Sequence, residues 1–246
     1  MDFLANQLEL NSSRNTLLCL SQYSVCLTAG CLSERNKLRE NLLNLYARIS
    51  LCRTINRSLD YVACLSRIRK YGLGQNDIVS SSINRFLTLA GNLFDCIYYP
   101  AECIAWLCEA NVFGENRSSR SFRLVSLICW LSNIIISIIR NTLQLIKYKK
   151  LLRAERNKDG NSKEIRRLDF DLKSIIGLFL FVFSSMVPLS EMYKCMLTLL
   201  NNFCFLLNCV HWLAIPRFLW SGKLPLFVVG LCGTLATICN IVKMAL

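Results

Sequence analysis

The residue types that do chemistry are thinly supplied in this sequence and poorly spaced for it. The chain has one histidine, His211, in 246 residues, and no serine or cysteine stands near it in a pattern that would make an acyl-transfer nucleophile. Fourteen cysteines could in number supply a metal centre or a disulfide framework, but no Cys-x-x-Cys pair occurs and the histidine is alone, so metal-ligand spacing is missing. His211 beside Trp212 reads as a hydrogen-bonded residue at a helix end rather than a proton relay. Gly72-x-Gly74 stands by itself, with neither a Walker-type loop nor a dinucleotide fingerprint around it. The sequence therefore supports no catalytic residues, no metal site and no cofactor, and it does not read as an enzyme.

Charge and hydrophobicity are the remaining chemistry, and both are unusual. The chain is 53% hydrophobic and yet has a formal net charge of +13, with a mean hydropathy of +0.37. Cations and long apolar blocks coexist most readily at a membrane with anionic head groups, where each Lys or Arg near the surface contributes on the order of 1 kcal/mol. Nucleic acid would also suit the charge, but no zinc-ligand spacing, aromatic ribonucleoprotein box or helix-turn-helix signal aims it. The N-terminus, MDFLANQLELNSSRN, lacks the basic region and apolar run of a secretory signal. The cysteines are accordingly expected to stay reduced, and Cys129, Cys204, Cys209, Cys232 and Cys239 sit inside apolar runs as small hydrophobes.

The elements follow from these blocks, and the fold class they give is all-α: an integral membrane protein with amphipathic N-terminal helices, at least two transmembrane helices and a possible further apolar hairpin. Leu224 to Val242 runs nineteen residues without a charge between Lys223 and Lys243, long enough at about 1.5 Å per residue to cross most of a roughly 30 Å hydrocarbon core. Leu124 to Ile139, sixteen uncharged residues between Arg123 and Arg140, predicts a second span if Arg140 snorkels. The chain divides into an amphipathic helical region (1–122), a transmembrane helix (123–146), a basic linker (147–173), an apolar helical pair that spans or re-enters (174–216) and a C-terminal transmembrane helix (217–246). Asn201, Asn202, Asn208 and His211 within the pair are costly in lipid unless they face protein. They face other helices or line a polar path. Pro100 is expected to break or kink the helix that carries Tyr98 and Tyr99.

Ser33 to Lys70 is the most periodic stretch. Leu38, Leu42, Leu45, Ile49, Cys52, Ile55, Leu59 and Val62 recur at steps of three and four, with Ser33 as the start signal. The cations Arg35, Lys37, Arg39, Arg48, Arg53 and Arg57 lie beside that stripe, and they predict either a surface for anionic lipid or the solvated face of a bundle helix. Before it, Ser13 to Leu27 predicts an amphipathic or interfacial helix with Arg14 as its only charge. At the other end Gly230, Gly233, Thr234 and Ala236 are small residues at spacings that allow close helix packing in lipid.

Several strings together resemble the peroxisomal membrane protein 11 (peroxin eleven) family, most closely its gamma type. They are Cys52-Arg53-Thr54-Ile55, Tyr71-Gly72-Leu73-Gly74, Leu89-Ala90-Gly91-Asn92-Leu93-Phe94-Asp95 running into Tyr98-Tyr99-Pro100 and Trp106, His211-Trp212-Leu213, Trp220-Ser221-Gly222-Lys223-Leu224-Pro225, and Val229-Gly230-Leu231-Cys232-Gly233-Thr234. Ala236-Thr237 stands where the family usually has paired serines. The resemblance implies a multi-pass helical protein of the peroxisomal membrane that promotes its elongation, division and proliferation, with an amphipathic helix acting on the bilayer and self-association concentrating the effect. It also implies an anionic lipid membrane, homo- or hetero-oligomers with family members, the peroxisomal membrane-protein import receptor and the fission machinery as partners. Two other readings stay open: a channel for small metabolites, and an adaptor that recruits fission factors.

Overall fold

The computed structural model describes residues 11–58, 60–72, 82–113, 119–162 and 172–245. Seven α-helices account for most of them: α1 Asn11–Cys31, α2 Lys37–Arg57, α3 Asp60–Tyr71, α4 Ser82–Glu109, α5 Ser119–Ser162, α6 Leu172–Trp212 and α7 Leu226–Ala245. No strand occurs among the described residues, and the protein is all-α. Among the described residues, three helices are long and apolar enough to cross a membrane, over Ser119–Leu151, Ser190–Trp212 and Leu226–Met244.

Local chemistry moves several boundaries from where periodicity alone places them. The cap of α2 is Asn36, whose side-chain oxygen accepts from the Leu38 amide at 2.9 Å, and Glu40 follows in the first turn where the helix dipole favours an anion. The periodic run that predicts one helix to Lys70 is cut at Ser58. The Ser58 hydroxyl and amide both donate to the Ile55 carbonyl, at 2.7 and 3.1 Å. The α3 helix stops at Gly72, whose φ of +53° lets its amide reach back to Ile68 at 2.8 Å; Gly74 lies outside the described residues. Pro100 does not break α4. It removes one backbone donor, but the turns on either side are held by Asp95 to Asn133 on α5 and Glu102 to Arg57 on α2.

The expected basic linker is helical as far as Ser162 in α5, because Lys, Leu, Arg and Glu, which dominate its first half, are good helix formers; residues 163–171 lie outside the described ones. Over 174–216 an apolar pair was the expectation, and the backbone instead runs as one helix, α6, through Pro188 to Trp212. The turn that follows is pinned by side chains. The His211 Nδ1 accepts from the Leu224 amide at 3.1 Å, the Ser221 hydroxyl oxygen accepts from the Ile215 amide at 2.9 Å, and the Trp220 indole donates to Leu207 at 2.8 Å. The carbonyls left open at the C-terminus of α6 are met by backbone amides, Leu213 to Cys209 at 3.1 Å and Gly222 to His211 at 2.9 Å.

The packing closes on itself. Going round, α1 touches α2, α2 touches α4, α4 touches α5, α5 touches α6, α6 touches α7, and α7 touches α1, while α3 leans on α4 from outside. Six helices thus form a ring. Its tightest seam is α1 against α7, where Gly30, Gly230 and Gly233 let the backbones meet. A Cβ on Gly30 would stand 2.5 Å from the Phe227 amide nitrogen, one on Gly230 would fall on the Leu27 backbone, and one on Gly233 would fall on the Tyr23 ring. The α1 helix is therefore built into the bundle, with Cys19, Gln22, Tyr23, Cys26 and Ala29 buried, and does not lie free along an interface.

Candidate functional site: a polar cavity inside the ring

Small residues and periodic apolar stripes explain how the ring closes, and the side chains they leave pointing inward define what it encloses. The α2 helix turns Tyr46, Ser50, Arg53, Thr54 and Arg57 inward, at steps of four, three, one and three, so its inner face is polar. Across from it stand Tyr98 and Glu102 of α4, Arg123 and Trp130 of α5, Phe205 and Trp212 of α6, Thr237 and Asn240 of α7, and Asn15 and Gln22 of α1. Together they line a cavity of about 480 Å³. One wall is aromatic: the Tyr23 and Trp212 rings stack at 6.2 Å and 15°, Trp212 and Trp130 at 5.9 Å and 18°, and Phe205 tilts against Tyr23 and Trp130.

The other wall carries charge. Arg57 Nη2 meets Glu102 Oε1 at 2.6 Å, with side chains 22% and 11% exposed. Its guanidinium also lies 5.9 Å from the centre of the Tyr98 ring, a cation–π contact, and its Nε–H is buried with no partner among the described residues. Arg123 forks onto Glu109, with Nη2 at 2.6 and 2.7 Å from the two carboxylate oxygens and Nε at 3.0 Å. Arg53 differs. It donates from Nε to Asn15 Oδ1 at 3.2 Å and from Nη1 to Gln22 Oε1, both neutral amides, and it has no carboxylate partner among the described residues. Beside it, burial pushes the Tyr46 hydroxyl up to about 12.

The six cations singled out for a lipid-facing surface are divided by the structure. Arg35, Lys37 and Arg48 are exposed, and Arg39 is half-buried, 3.8 Å from Glu34. Arg53 and Arg57 line the cavity, because their positions on the helix coincide with those of Tyr46 and Ser50. The stripe of Leu38, Leu45 and Ile55 faces outward, 52%, 46% and 42% exposed. Of the small residues on α7, Gly230 and Gly233 lie on the α1 seam, Ala236 is buried with Cys204 and Cys232, and the Thr234 hydroxyl bonds back to the Gly230 carbonyl at 2.8 Å.

Asn201, Asn202 and Asn208 of α6 do not line the cavity. Asn201 donates to the Ala236 carbonyl at 2.6 Å, Asn202 to the Ser137 hydroxyl at 2.8 Å and Asn208 to the Val229 carbonyl at 3.1 Å, so they tie α6 to its neighbours in the manner of polar residues in membrane bundles. Sequence reasoning missed the inner residues Tyr46, Ser50, Thr54, Glu102, Asn15 and Gln22. One signal was available: polar side chains at 46, 50, 53 and 57 recur at helical spacing as regularly as the leucines do.

A family model described as Peroxisomal biogenesis factor 11 (PEX11) matches residues 1–245. The chain belongs to this family. Among similar proteins, peroxisomal membrane protein 11C of Homo sapiens is 30% identical over 254 aligned residues, covering 98% of this chain and 93% of the relative. Peroxisomal membrane protein 11C of Mus musculus is 28% identical over 243 residues, covering 96% and 90%. No solved structure matches. The family match spans all the helices of the ring, so the cavity is built entirely from PEX11-family sequence.

Proposed function

We propose that this PEX11-family protein resides in the peroxisomal membrane and promotes its elongation and division by wedging α2 into one leaflet. Family membership and the two peroxisomal relatives support the location. The observation that carries the mechanism is the outward stripe of Leu38, Leu45 and Ile55 on α2, flanked by exposed Lys37 and Arg48. An apolar stripe on the outside of a helix whose polar face is already occupied by the cavity has lipid as its natural counterpart. Each such side chain gains about 1.5–3 kcal/mol when removed from water, against about 1 kcal/mol for each neighbouring cation at an anionic surface. Insertion therefore dominates over charge, and area added to one leaflet favours curvature. The candidate spans in α5, α6 and α7 hold α2 at that surface, and self-association would concentrate the effect.

The test is expression in cells of the chain and of a variant carrying Leu38→Gln, Leu45→Gln and Ile55→Gln. The unaltered chain should elongate or multiply peroxisomes, and the variant should reach the same membrane and leave them unchanged. Equal effects from both would reject the wedge. Tubulation of anionic liposomes by purified protein would separate this reading from recruitment of fission factors, which needs a partner.

A second reading, passage of small metabolites, is supported by the polar cavity between the helices rather than by the asparagines of α6. Conductance of purified protein in planar bilayers that changes on Arg53→Gln would favour it.

A further inference from the structure

Among the described residues, one cation in the cavity has no ion-pair partner. Of the cavity's three guanidiniums, Arg57 has Glu102 and Arg123 has Glu109, whereas among the described residues Arg53 is held by the amide oxygens of Asn15 and Gln22. Arg53 is half-buried, where a charge–charge contact counts for more than at an open surface, and a visiting anion would supply the counter-charge. The number of donors narrows the anion. Two of the five N–H groups of Arg53 are engaged by described residues, which leaves three. A carboxylate offers two oxygens, whereas a phosphate group offers at least three to a set of this size. The aromatic wall of Trp130, Trp212 and Phe205 is an apolar surface for the carbon part of the same molecule. A cavity of about 480 Å³ lies within the range of about 300–1,000 Å³ usual for small-molecule sites.

We propose that the ring is a binding site for a phosphate ester, with the phosphate group on the free N–H groups of Arg53 and the carbon part against Trp130 and Phe205. The ester is a soluble one or the head group of a lipid entering from the bilayer; the chemistry recognised is the same. The site goes beyond the remodelling reading and does not depend on it.

The experiment uses the full chain in a neutral detergent and follows tryptophan fluorescence, since Trp130 and Trp212 line the cavity. Inorganic phosphate, glycerol 3-phosphate and dihexanoyl phosphatidic acid are titrated at matched ionic strength. Saturable binding of glycerol 3-phosphate identifies a soluble ester, and saturation by phosphatidic acid alone identifies a lipid head group; either supports the site. Arg53→Gln should weaken binding about tenfold or more, while Arg69→Gln, an exposed cation on α3, should leave it unchanged. Trp130→Phe should remove most of the fluorescence response. If Arg53→Gln does not fold, Ser50→Asp places a carboxylate on the same inner face and should abolish binding. The proposal is overturned if no probe saturates, if the folded cavity variant binds like the unaltered chain, or if Arg69→Gln loses as much as Arg53→Gln.

Discussion

Arg57 of α2 and Glu102 of α4 meet at 2.6 Å across 45 residues of sequence, and this ion pair joins the N-terminal helices to the half of the ring that contains α5 and α6. Few other contacts tie α2 to α4, so the pair decides whether the ring stays closed at that point. Removing only the acid leaves a guanidinium facing a cavity with one more uncompensated charge. Glu102→Gln should cost roughly 2–3 kcal/mol, below the usual figure for a fully buried pair because Arg57 retains some solvent contact. A chemical denaturation midpoint in detergent measures it, and the double change Arg57→Gln with Glu102→Gln should recover part of the loss.

The α1–α7 seam depends on absent side chains. Gly230→Ala adds a methyl where the Leu27 backbone lies, and the two helices must separate, at about 1–3 kcal/mol. Because Cys26 is fully buried beside this seam, its reaction with a thiol reagent should speed up markedly in the variant. Thr234→Ala, which deletes a hydroxyl bonded within its own helix, should leave Cys26 protected.

Tyr46 links stability to alkaline pH. Its hydroxyl is an acid held in the neutral form by burial, up to about 12 from 10.0, so the unfolded chain releases that proton first as pH rises. The contribution of neutral Tyr46 is intact below about pH 10 and is lost between about pH 10 and 12. Denaturation midpoints measured across that interval should fall in the unaltered chain and fall less in Tyr46→Phe.

The asparagines of α6 act as glue rather than as a pore lining. Asn201→Leu and Asn202→Leu should each cost no more than about 1.7 kcal/mol, the upper range for single polar contacts between membrane helices. Neither should alter any conductance that the chain has in planar bilayers, whereas Arg53→Gln, if solutes pass through the cavity, should.

Much of the architecture was legible without coordinates because membrane helices are written in composition. The uncharged run from Leu224 to Val242 and the shorter run after Arg123 mark spans by length alone, and the family strings identified what kind of protein carries them. Gly230 and Gly233 stand out in sequence because small residues in an apolar helix have few other uses. The limits of periodicity appear at α2. A helix with leucines on one side and arginines on another has two faces, and sequence does not say which is inside. The usual rule sends the leucines inward. Here the other helices of the ring present Glu102, Asn15, Gln22 and Asn240 to the same space, and in a membrane the outward direction is apolar too.

Taken by itself, then, the sequence determined that the chain is helical, basic, membrane-bound and of the PEX11 family, since these follow from apolar length, net charge and local strings. Only the tertiary structure decided that Arg53 and Arg57 turn inward, that Asn208 donates to and His211 accepts from neighbouring backbone, and that six helices surround a cavity. The physical reason is that a helix carries its own hydrogen bonds, so its existence is a local matter. The direction it faces depends on partners as distant in sequence as Tyr23 and Gly233, whose contact closes the ring.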